Sequence, residues 1–62
     1  MVLKRILVID DEEYILASLK GMLEDEGFIV ETAKTGHLGV TAAKRFSPDV
    51  VLCRAHRSIP LN

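Results

Sequence analysis

Hydrophobic and polar positions along the chain alternate between two regimes, short solid apolar runs and longer runs with helical spacing. Residues 6–9, "ILVI", form an unbroken aliphatic stretch that is too short for a helix and has no polar alternation. That is the pattern of a parallel strand buried on both faces, with Lys4 and Arg5 marking its entry. After an acidic cluster, Ile15, Leu16, Leu19, Met22 and Leu23 recur at helical spacing, and Gly27 supplies a stop just past a helix end. The spacing predicts a helix over 12–26.

"FIVETA" then begins a second strand at Phe28, and "TGHLGVTAAKRF" places Leu38, Ala42 and Phe46 four residues apart beside small Gly39 and Ala43, a tightly packed second helix. Ser47 and Pro48 break it, and "DVVLC" is a third buried run. Strand, helix, strand, helix, strand implies an α/β fold with a parallel sheet and right-handed crossovers. Nothing after Cys53 has clear periodicity, so the chain divides into one domain over 1–53 and an irregular tail over 54–62.

Composition narrows the function classes. A chain of 62 residues makes one small domain, and at that size only about 60% of the unfolded surface is buried, so stability alone is marginal and a partner or second copy is expected. With 48% apolar and 27% charged residues the chain is globular in character. A formal charge of −1, with no basic block longer than a pair, gives no footprint for nucleic acid or an anionic membrane. No apolar run approaches the roughly 20 residues that span a bilayer, and charges interrupt "MVLKRILVID", unlike a signal peptide. A cytoplasmic protein is expected. The lone Cys53 agrees with a reducing compartment and reads as a small core residue.

The candidate chemistry lies in "DDEE", Asp10 to Glu13, where a parallel strand gives way to a helix. In open α/β sheets ligands bind at that edge. One reading is structural: Asp10 or Asp11 is the helix N-cap, Glu13 completes a capping-box spacing with Asp10, and the acids favour the positive end of the helix dipole. The other is a hard divalent cation held by Asp10 and Asp11, since Mg²⁺ takes a few carboxylate oxygens and keeps several waters. Capping explains one aspartate more easily than two.

From Lys4 to Cys53 the sequence resembles the N-terminal half of a response-regulator receiver domain of two-component signalling. The resemblance rests on "DDEE" after the first strand, Gly27-Phe28-x-Val30 opening the second, Ala33-x-x-Gly36 before the second helix, and "PDVVL" in the third strand. Each is weak alone; order and spacing together make the match. It implies a flavodoxin-like doubly wound sheet with strands in order 2-1-3, Mg²⁺ held by Asp10 and Asp11, and a phosphoryl group taken from a histidine kinase onto an aspartate at the end of strand three. In such chemistry the cation offsets charge on the transferred group while a carboxylate supplies the nucleophile.

The pattern fails at that aspartate. The position after "DVVLC" is Arg54, whose guanidinium stays protonated and cannot attack phosphorus. Asp49 is no substitute, because it starts strand three, about 13 to 17 Å from the strand's end. The family's proline four positions beyond the acceptor is replaced by Ser58, with proline arriving at Pro60. The fourth and fifth strands, with the hydroxyl residue and lysine the family uses, are not in the sequence. The expectation is a truncated or degenerate receiver, not an enzyme, that does not accept a phosphoryl group. The alternative is a non-catalytic dimerisation or kinase-docking decoy module, or a fragment with no present role.

In the resembled fold strand three is central, so here it becomes an apolar edge, an invitation to pair. A homodimer joined through strand three is expected, with apolar surface also open near Ile15, Leu19 and Met22. Arg54 is a candidate counter-ion for Asp10 or Asp11 in place of a metal; a solvated arginine in a loose tail is the alternative.

Other candidates are weaker. Cys53 and His56 have a C-x-x-H spacing, but no second pair completes a zinc site and His37 reads as a helix-surface residue. Nothing near Cys53 marks it as a nucleophile. "TGHLG" lacks the lysine of a phosphate loop and suits close packing. Glu24, Asp25 and Glu26 read as the solvated end of the first helix.

Overall fold

A computed structural model describes residues 3–53. The expected tail 54–62, Arg54 and His56 included, lies outside the described residues. Five elements follow in the expected order: β1 (Arg5–Ile9), α1 (Glu13–Asp25), β2 (Ile29–Ala33), α2 (Gly36–Phe46) and β3 (Val50–Cys53). The strands form one parallel sheet in the order β2-β1-β3, the flavodoxin-like half-fold that the sequence implies.

β1 is central, and its alternation feeds two cores. Ile6 and Val8 turn to one face with Val30 and Leu16, where Leu19, Leu23 and Phe28 join them. Leu7 turns to the other with Ala33, Ala42 and Phe46, flanked by Ile9 and Ala43. Leu7 and Val8 have no exposed surface, which accounts for the unbroken apolar run: a strand with a helix on each face has no solvent side. Leu19 thus packs on the core, whereas Met22 is exposed as expected. Leu38 is half exposed, so the buried stripe of α2 is Gly39, Ala42 and Phe46.

The helix ends follow local chemistry. Gly27, at φ +98°, donates its N–H to the Glu24 carbonyl while Phe28 N–H reaches the Leu23 carbonyl. This crossed pair is the Schellman motif, which needs the left-handed conformation that glycine adopts freely. Phe28 and Leu23 both pack against the same core cluster. α2 opens on Thr35, whose hydroxyl accepts the Leu38 N–H at 3.0 Å, and closes on Ser47 in the left-handed conformation.

The start of α1 differs from the expected capping. The helix begins at Glu13 with extended Glu12 as its N-cap, whose side chain makes no capping hydrogen bond. Asp10 reaches forward two residues instead, its Oδ1 accepting the Glu12 N–H at 3.0 Å. Neither Asp10 nor Asp11 is the N-cap, and Glu13 turns to Lys34 rather than completing a capping box.

Among the described residues the third strand is the exposed apolar edge that was expected, and its exposure corrects the reading of Cys53. Neither helix packs on β3, and Val50, Val51, Leu52 and Cys53 are all exposed. Cys53 is therefore not a core residue in this fold: its run is apolar, but nothing among the described residues covers it.

Candidate functional site

The C-terminal ends of the three strands meet along one edge. β1 hands over to Asp10 after Ile9, β2 to Lys34 after Ala33, and β3 ends at Cys53, paired in register with Ile9. The sequence thus brings Asp10 and Asp11 to the edge where ligands bind in open α/β sheets.

The two aspartates stand in opposite environments. Asp10 is 2% exposed; its N–H continues the ladder to the Ala33 carbonyl at 3.1 Å and its carboxylate turns the chain towards α1 through Glu12. Asp11, one residue on, is exposed. A buried carboxylate fixed by a backbone donor beside an exposed one provides a fixed oxygen and an adaptable one.

Lys34 is the cation at this edge that sequence reasoning missed. Its Nζ lies 2.5 Å from Glu13 Oε2, tying the end of β2 to the first turn of α1. The hydrogen bond from Lys34, and then its charge, hold the Glu13 carboxyl below the ordinary carboxylate range. The available signal was a lysine directly after a strand that ends beside the acidic cluster. Below the pair a groove of about 320 Å³ runs between α1 and β2, lined by Leu16, Ala17, Lys20 and Thr32 together with Glu13 and Lys34.

Asp49 lies at the opposite edge, as its position at the start of strand three implies. Its Oδ2 accepts the Arg5 N–H at 2.8 Å and its own N–H donates to the Arg5 carbonyl at 2.7 Å. Arg5 Nε in turn donates to the Phe46 carbonyl at 2.9 Å, its guanidinium 4.7 Å from the Phe46 ring centre. These groups join β1, α2 and β3 far from the aspartate pair.

As a cation site the described residues are incomplete. No group of three His, Cys, Asp or Glu side chains among them is placed to hold a metal ion, and Asp10 Oδ1 is engaged by the Glu12 N–H. Two carboxylates fit the sparse protein coordination of Mg²⁺ but fall short of a full cage. No helix among the described residues is long and apolar enough to cross a membrane.

No curated protein matches the chain. The family model of the response regulator receiver domain matches residues 6–55, a span that begins in β1, takes in every later element, and carries Asp10, Asp11 and the position occupied by Arg54. With that match over most of its length and with the strand order it requires, the chain belongs to the response regulator receiver domain family.

Proposed function

We propose that this chain is a degenerate receiver module that does not itself accept a phosphoryl group and that works by association rather than catalysis. One observation supports the reading. Arg54 follows directly on β3, inside the span that matches the family, and Cys53 before it pairs with Ile9, which precedes Asp10. The place where the family carries its acceptor carboxylate holds a group with no nucleophilic lone pair. Asp49 is held on the far edge by Arg5. Asp10 and Asp11 remain as a weak Mg²⁺ site, and the single cysteine suits a cytoplasmic setting.

Acetyl phosphate with Mg²⁺, followed by intact mass, tests the reading. The mass is expected to stay unchanged; a stable adduct of about 80 Da, the mass of a phosphoryl group, overturns it.

A second reading is a decoy for a histidine kinase, docking through α1. It is favoured by the exposed side of that helix, where Tyr14 is 86% and Met22 57% exposed, two helical turns apart on one flank. Kinase binding without phosphoryl transfer supports it; no binding at high micromolar kinase removes it.

A further inference from the structure

The sheet brings a cation of the chain's own to the aspartate pair. Ile9 and Ala33 stand in register at the ends of β1 and β2, and the Asp10 N–H extends the ladder to the Ala33 carbonyl. Asp10 and Lys34 therefore leave neighbouring strands at the same level, their backbones about 5 Å apart. Asp10 is buried and its Oδ1 is fixed by the Glu12 N–H. Lys34 is half exposed, and its ammonium is tied to Glu13, the first residue of α1.

We propose that Lys34 and Glu13 set the divalent-cation affinity of Asp10 and Asp11 in opposite directions, Lys34 as the charge that lowers it and Glu13 as the positioning residue that offsets Lys34. The inference rests on the reading of those aspartates as a weak Mg²⁺ site, and names a group that keeps the site weak. An ammonium one strand away repels an incoming Mg²⁺. A carboxylate 2.5 Å from that ammonium turns the two charges into a short dipole, whose field falls off faster than that of either charge alone. The joint loss of both groups therefore changes little, whereas the loss of one leaves a whole charge beside the aspartates. In a water-rich setting such a charge is worth about threefold in affinity.

The groove between α1 and β2 supplies a control. Lys20 and Glu24 pair at 3.0 Å, and Lys20 is half exposed, as Lys34 is. Lys20, however, lies two helical turns beyond Glu13, about 10 Å along the axis. Salt at 0.1 M screens exposed charges over about that distance. Removing the Lys20 charge is expected to leave Mg²⁺ binding unchanged, so the effect assigned to Lys34 comes from its place at the strand end and not from the net charge of the chain.

The test follows the amide shifts of Asp11 and Glu12 during Mg²⁺ titration of the 62-residue chain at fixed ionic strength, with circular dichroism to check that each variant keeps its fold. Half-saturation is expected at about threefold lower Mg²⁺ in Lys34→Met and about threefold higher Mg²⁺ in Glu13→Gln. Lys34→Arg, Lys20→Met and the double variant Lys34→Met with Glu13→Gln are expected at the wild-type midpoint. Unmoved midpoints in both single variants, shifts of the same sign in the two, or Lys20→Met moving as far as Lys34→Met each overturn the inference and leave the Mg²⁺ site standing. No saturable shift in any of the proteins overturns the site and the inference together.

Discussion

Gly39 sits so close to Ile9 that a Cβ placed on it falls 2.9 Å from Ile9 Cγ1 and nearer still to Cδ1. The absent side chain lets α2 lie down on β1 just before the strand delivers Asp10, so helix packing and the placement of the site share one contact. Gly39→Ala is expected to cost about 1–3 kcal/mol through overpacking. Gly21, in exposed α1, has nothing within 4 Å of where a methyl group would stand, which gives the opposite sign: Gly21→Ala is expected to stabilise by about 1 kcal/mol. Chemical denaturation of the pair checks both, and a shared sign removes the packing argument.

The Glu13–Lys34 pair sets a pH dependence. Its bond to Lys34 lowers the folded Glu13 pKa below the unfolded one, so the pair's contribution is present above the unfolded carboxylate range and is lost as pH falls through the lowered value. Glu13 is fully exposed, and the effect on stability is correspondingly slight. NMR titration of the Glu13 carboxyl is expected to give a midpoint below the usual range, moving back up in Lys34→Met. An unchanged midpoint in the variant means that Lys34 is not the cause.

The cation question turns on charge. Replacing Arg54 by aspartate removes a positive charge and adds a carboxylate next to the strand end beside Asp10. Amide shifts of Asp11 and Glu12 followed during Mg²⁺ titration are expected to saturate at roughly tenfold lower Mg²⁺ in Arg54→Asp than in the wild type. Equal affinities place Arg54 away from the aspartates.

Much of this was legible in the sequence because it is written locally. The strands show as apolar runs, the end of α1 shows in Gly27, and the strand order follows from alternation of strand and helix together with the family resemblance. What was missed depends on partners far apart in the chain. Four consecutive acids all have capping chemistry, so sequence alone does not reveal that Asp10 serves Glu12 while Glu13 turns to a lysine 21 residues on. Cys53 reads as core because its run is apolar, yet burial depends on neighbours and, among the described residues, β3 has one only on its β1 side. Asp49 looked merely misplaced for catalysis, and its bond to an amide 44 residues earlier has no local signature.

Asp49 also sets the direction in which the sheet comes apart. Its amide and its carboxylate both hold Arg5, and Arg5 holds the last carbonyl of α2, so β3 is riveted at its entry, whereas at Cys53 the described residues supply the ladder to β1. Opening is therefore expected to run backwards along the strand from Cys53 towards Val50, with the first amides to exchange at the end that lies beside Asp10. On that expectation the edge that carries the carboxylates is also the first to meet solvent.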